Sequence, residues 1–169
     1  MYNPDKTADK LFPNTCRALS NEISATEYMT LSFSLNEATN NIGTKDDTVE
    51  TTTWGSWNSV LSSIYTWNPT IRLGIILYDD QSEFHTMHDT IKDIAKWWGI
   101  PVLDLVDDTS VPLMMSYGAR PSTELNQWIA NVKNHAFRVS DTADSVNKHP
   151  NYAAHKYRST IIENFMRSL

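Results

Sequence analysis

Two short stretches carry the side chains best suited to chemistry. Late in the chain, His149-Pro150-Asn151-Tyr152-Ala153-Ala154-His155 sets an imidazole on a Pro-Asn turn, directly before a helix-forming stretch. A histidine fixed at a loop–helix junction is a candidate general base. Pro150 pins the approaching backbone, and Asn151 suits the N-cap of a helix opening at Tyr152. The plainer reading of the same residues is a capped terminal helix with a surface histidine. Early in the chain, Tyr28-Met29-Thr30-Leu31-Ser32-Phe33-Ser34-Leu35-Asn36-Glu37 starts as a β-prone run and ends in a Ser-Leu-Asn-Glu turn. Asn36 falls just past the strand's carboxyl end, the edge at which open parallel sheets bind ligands. A side-chain amide there can donate a hydrogen bond to a developing oxyanion.

Those side chains need a frame, and the hydropathy pattern supplies one. Residues 1–15 are a polar, irregular lead-in. Cys16 to Ile23 reads as a short helix with Leu19 and Ile23 on one face, and Tyr28 to Phe33 as the first strand. Asn36 to Thr53 is a long polar loop rich in Thr and Asp, either simply solvated or able to bind a cation or a sugar. From Thr53 or Gly55, the residues Trp57, Val60, Leu61, Ile64 and Trp67 follow one helical face, and Asn68-Pro69 stops it. Ile71 to Tyr78 is a continuous apolar run, as in a buried parallel strand. Phe84 to Trp98 is the next helix, with Phe84, Met87, Ile91, Ile94, Ala95 and Trp98 inward and Gly99 as its C-cap. Val102 to Val106 is the third strand. A loop from Asp107 to Arg120, a helix from Ser122 or Thr123 to about Val132 and a polar loop from Phe137 to His149 follow. In the last helix, Tyr152, His155, Ile161, Ile162, Phe165, Met166 and Leu169 recur at helical spacing, leaving Arg158, Glu163 and Arg167 to water. The alternation predicts a single α/β domain over 1–169, three layers α/β/α around a mostly parallel sheet with right-handed crossovers.

Composition narrows the partners. The 169 residues carry a net charge of −6 with scattered basic residues, which disfavours nucleic acid. Cys16 is the single cysteine, so neither an internal disulfide nor a thiolate metal cage is expected. No apolar run reaches membrane-spanning length and no signal-peptide core opens the chain. The expectation is a soluble protein, cytoplasmic or part of a virion, with no cofactor and no metal. His85 and His88, with Asp79, Asp80 and Asp89 nearby, form the best metal candidate, against which stands a solvated or capping role. Among the tryptophans, Trp57 and Trp98 fall on core stripes, which leaves Trp54 and Trp97 freer to stack on a sugar.

Taken in order, these segments resemble the SGNH (GDSL-type) hydrolases, as found in phage tail and baseplate proteins and carbohydrate esterases. The resemblance covers about residues 17 to 169. The stretch Tyr28 to Glu37 is similar to the family strand ending in Gly-x-Asn-Asp, with Ser34 in place of the glycine and Glu37 in place of the aspartate. Asn68-Pro69 before Ile71 to Leu77, and Trp98-Gly99-Ile100-Pro101-Val102-Leu103-Asp104-Leu105, look like the family's middle blocks. His149-Pro150-Asn151 with His155 is similar to its last block. The resemblance implies an SGNH/flavodoxin-like fold, His149 as general base and Asn36 as oxyanion donor. Its ligand would be a carbohydrate or small ester.

The departures are as informative. No Gly-Asp-Ser turn supplies the nucleophile, and the glycine donor block is missing. The chain reads as lacking the first strands of the family fold. The family's aspartate three residues before the histidine is here Val146, which leaves Asp144, five residues upstream, to orient the imidazole. Ser34 is the serine nearest to Asn36 in sequence but sits in no sharp strand-to-helix turn. Without the first family strand, Tyr28 to Phe33 becomes an open edge, expected to be covered by residues 1–25, by a second copy or by a partner chain. Two functions compete: a truncated or degenerate ester hydrolase of the carbohydrate esterase or deacetylase class, and a non-catalytic phage structural, receptor-binding or effector domain on the same scaffold. A third reading is an unrelated three-layer binding protein.

Overall fold

The computed structural model describes residues 13, 16–33, 41–77, 85–105 and 152–169. Its elements are α1 (Ser20–Ser24), β1 (Tyr28–Leu31), α2 (Thr53–Trp67), β2 (Arg72–Leu77), α3 (His85–Trp98), β3 (Val102–Asp104) and α4 (Tyr152–Ser168). The three strands form one parallel sheet in the order β1-β2-β3. In register, Leu31 faces Ile75, and Leu77 faces Asp104.

Alternation along the strands sorts the helices into two layers. Leu31, Leu73, Ile75 and Leu77 join the main core with Trp57, Val60, Leu61 and Ile64 of α2 and Met87, Ile91, Ile94 and Ala95 of α3. The intervening positions point the other way. There Ile76, Leu103 and Leu105 meet Ile161, Ile162 and Phe165 of α4. The fold is therefore α/β with helices on both faces of a parallel sheet, as the hydropathy pattern predicts. β2 lies between the two layers, and five of its six residues are buried, so its sequence is a continuous apolar run rather than an alternating one.

Gly74 lets α4 approach the sheet. A Cβ at that position would come within 2.6 Å of the Phe165 ring and 3.1 Å of Leu169. Phe165 and Leu169 thus sit near the start of β2, while Ile161 and Ile162 belong to the cluster that includes Leu105 beyond the end of β3. α4 runs against the strand direction, and its first turn lies toward the strands' carboxyl ends.

The helix ends follow local chemistry. Thr52 caps α2, its hydroxyl accepting from the Gly55 N–H at 2.9 Å. Asn68 does more than end that helix: its buried amide donates to the Ile23 carbonyl at 3.1 Å and the Thr26 carbonyl at 2.7 Å. It ties the segment before β1 to the one before β2. At the end of α3, Gly99 adopts φ 67°, the Gly99 N–H donates to Lys96 O at 3.3 Å and the Ile100 N–H to Ala95 O at 2.8 Å. This is a Schellman stop in which glycine meets no Cβ penalty.

Several expectations are corrected. Leu19 is 43% exposed, because its non-helical φ/ψ at the N-cap of α1 breaks the helical period; Cys16 and Ile23 are buried instead. Arg158 is buried at 4%, while Tyr152, His155 and Met166 are exposed. The inward stripe of α4 is Arg158, Ile161, Ile162, Phe165 and Leu169, steps of 3, 4, 7 and 11 that centre on Gly74 and Ile76. Of residues 1–25, expected as one possible cover for the β1 edge, the described segment Cys16 to Ser24 is mostly helical, and its helix α1 packs on α2 rather than pairing with β1. Among the described residues, β1 has β2 as its sole strand neighbour. The expected helix at 122–132 and the loops 107–120 and 137–149 lie outside the described residues.

Candidate functional site

The candidate site is the rim where the three strands end. Leu31, Leu77 and Asp104 stop at this edge. Parallel strands put all their carboxyl ends on one side, and loops leaving that side converge there. β1 leads through Ser32 and Phe33 toward Asn36, and the first turn of α4, which follows His149, faces the same end of the sheet. Asn36, Asp144 and His149 themselves lie outside the described residues, as do Ser34, Asp79 and Asp80.

The described part of the rim holds polar groups for which sequence reasoning gave no inward role. Asp104, the last residue of β3, is 1% exposed and pairs with the Lys92 ammonium at 2.5 Å. Strand alternation turns Asp104 toward the α3 layer, where Lys92 reaches it from the helix. His88, one turn before Lys92 on the same helix face, is 4% exposed. The solvated role considered for His88 is therefore corrected: it belongs to the inner face with Met87 and Ile91. Thr90 is also buried. The signal in the sequence for this cluster is the four-residue spacing of His88 and Lys92 beside the apolar stripe. A buried ion pair costs desolvation on both sides and is tolerated because each charge meets the other. It fixes the end of β3 against α3 and so fixes one side of the rim.

Among the described residues, no group of three or more His, Cys, Asp or Glu side chains is placed to hold a metal ion. Asp89, one of the proposed metal neighbours, is exposed. Of the two tryptophans proposed as sugar stackers, Trp54 packs against the main core, whereas Trp97 is 58% exposed. The described helices include none long and apolar enough to cross a membrane. Compared with known proteins, the chain matches no family model, no curated protein and no solved structure.

Proposed function

We propose that the chain is an SGNH-type ester-hydrolase-like domain of the carbohydrate esterase or deacetylase class, degenerate in that its sequence has no serine-nucleophile turn, with the remaining base and oxyanion donor at the carboxyl rim of the sheet. The observation that supports it is topological. β1, which ends five residues before Asn36 in sequence, and the first turn of α4, which opens three residues after His149, lie toward the same edge of the parallel sheet. In this reading, His149 accepts the proton of the attacking hydroxyl and Asp144 holds the imidazole in register. The Asn36 amide donates to the oxyanion. Hydrolysis of p-nitrophenyl acetate, followed at 25 °C with wild type and His149→Ala, is the direct test. Turnover lost in the variant supports the assignment; turnover indifferent to His149 removes it.

A second reading is favoured by a specific feature: the sequence has no Gly-Asp-Ser turn. On that reading the scaffold binds without catalysing. Triad members act as a unit, so a base without its nucleophile retains little rate. A fluorophosphonate probe separates the two. Covalent labelling of a serine supports the hydrolase, and its absence with no ester turnover supports the binding domain.

The same scaffold leaves the outer edge of β1 without a strand partner among the described residues. We propose that a second copy or a partner chain adds there. Light scattering of the purified chain that shows a strict monomer, together with amide exchange as slow at Met29 and Thr30 as in β2, runs against it.

A further inference from the structure

We infer that the outer side of the α2–α3 layer carries a glycan-binding recess, distinct from the strand rim, with Trp97 as its platform. An open cavity of about 460 Å³ lies between the 45–48 loop, the polar face of α2 and the end of α3. That volume falls within the roughly 300–1,000 Å³ usual for small-molecule sites. Its walls include Lys45, Asp46, Asn58, Ser62, Trp97 and Trp98. A pyranose presents an apolar face of C–H groups and a rim of hydroxyls. An exposed indole beside an ammonium, a carboxylate and hydroxyls is complementary to both.

The recess is built rather than incidental. Trp98 donates its indole N–H to Asn58 Oδ1 at 2.9 Å, and its ring stacks on Tyr65 at 6.1 Å and 12°. The Asn58 amide donates in turn to the Lys45 carbonyl at 3.0 Å and the Asp47 carbonyl at 2.9 Å. One side chain thus clamps the loop to the tryptophan that forms the floor. The loop is also pinned at its ends: Thr53 N–H donates to Asn41 O at 3.0 Å, and Trp54 N–H to Ile42 O at 3.1 Å. This holds the Lys45 and Asp46 backbone in place without ligand, which lowers the ordering cost of binding.

Above the floor, Trp97 turns outward and Lys45 Nζ lies 4.5 Å from its ring centre. A sugar ring stacked on the indole would take the place of the Lys45 ammonium, which would then be in reach to donate to the sugar's oxygens. Lys45 and Asp46 offset each other, so the recess suits a neutral, hydroxyl-rich glycan rather than a polyanion.

The inference does not depend on the hydrolase reading, because its test reads binding and not turnover. The full chain, with indole ¹⁵N labels, is titrated with chitotetraose, cellotetraose, maltotetraose and mannotetraose. Expected is a saturable shift of the Trp97 and Trp98 indole resonances with at least one of them. Trp97→Ala should weaken that binding by about tenfold or more, the loss of one good stacking contact. Ser62→Trp, which fills the recess from the α2 side and leaves Trp97 intact, should abolish it. Both changes fall on exposed residues, and an unchanged melting transition shows that each variant is folded. If no oligosaccharide shifts either indole at millimolar concentration, or if binding is unaltered in both folded variants, the recess is not a glycan site.

Discussion

The strand rim and the helical recess are assembled by opposite means. The rim depends on the sheet: three parallel strands end at one edge, β1 two residues short of β2 and β3 in register, and the residues proposed for chemistry follow β1 or precede α4 in sequence, outside the described residues. Inside it, the visible fixed point is the Asp104–Lys92 pair. The recess needs no sheet hydrogen bond. Two helix faces and one loop are clamped by Asn58, and the groups that would meet a ligand are side chains of described helices and a pinned loop. A rim site gains reach and variety from its loops, as ligand-binding loops do on a rigid scaffold. A recess on packed helices is pre-organised but offers fewer chemical groups. If both work, the molecule separates holding a glycan from acting on an ester.

The largest effect that sharpens this contrast is at the rim. His149→Ala should lower ester turnover by about 10²–10⁴, the usual contribution of a positioned general base. Asn36→Ala should lower it by about 10²–10³, the usual cost of one oxyanion donor. Neither should move the Trp97 or Trp98 indole signals. A rim variant that abolishes oligosaccharide binding would mean that the two regions are one site.

The next effect concerns the frame. Gly74→Val puts a branched side chain where a single Cβ already meets the Phe165 ring at 2.6 Å. Overpacking of this kind costs about 1–3 kcal/mol, and urea unfolding should show a cost near the upper end. The displaced element is α4, whose first turn lies toward the rim, so on the hydrolase proposal ester turnover should fall together with stability. The recess is built on the opposite face from α4 and should keep its affinity in the folded fraction. Equal damage to both regions would show that the layers do not act separately.

How legible these regions were in the sequence differs for a physical reason. The frame is written in local periodicity. The apolar run Leu73 to Leu77 and the stripe Trp57, Val60, Leu61 and Ile64 are set by burial of successive neighbours, and they appear in the structure as a central strand and an inward helix face. Contacts between residues far apart in sequence leave no period. Asn58, Ser59 and Ser62 look like an ordinary solvated face of α2, and nothing local announces that Lys45 will stand over Trp97, 52 residues later. Asn68 was recognisable as a helix stop, but its two bonds across to Ile23 and Thr26 were not. Arg158 misleads for another reason. A cation is normally assigned to water, yet the packing of α4 on Gly74 turns position 158 inward whatever its charge. The rim residues were named from motif resemblance, which carries no coordinates. Leu31, Leu77 and Asp104 show where such turns leave the sheet, not where Asn36 or His149 come to rest.

A smaller effect is expected from Asn58→Ala. The change removes three hydrogen bonds that join Trp98 to the loop. Each is worth about 0.5–1.5 kcal/mol net, and partly exposed ones less. Global stability should therefore fall by about 1–2 kcal/mol. Amide exchange in residues 43–48 should rise more than elsewhere, and oligosaccharide affinity should fall while ester turnover holds. A uniform rise in exchange would place Asn58 in the global core and not in a local clamp.

The smallest effect is a matter of pH, and it reads the loop alone. Asp47 lies in the loop that forms one wall of the recess. The Thr44 N–H bonded to its carboxylate at 3.0 Å holds its pKa below the ordinary value, with further help from the Thr52 and Thr44 hydroxyls. A carboxyl depressed in the folded state stabilises that state at all pH values above its unfolded pKa. The contribution is lost as the pH falls through the lower, folded value. The loop should thus stay closed at neutral pH and through mild acid, and loosen only when Asp47 itself takes up a proton. Amide exchange at Thr44, corrected for its intrinsic pH dependence, should rise in that acid window before the sheet unfolds. Asp47→Asn should remove the pH step and leave exchange elevated throughout. Ester turnover tests the same separation from the other side: in Asp47→Asn at neutral pH it should match wild type, because the described partners of this carboxylate, Thr44 and Thr52, belong to the loop and the cap of α2. A loop that stays closed until the whole protein unfolds would tie it to the sheet, and the recess would then be an outgrowth of the frame that also builds the rim.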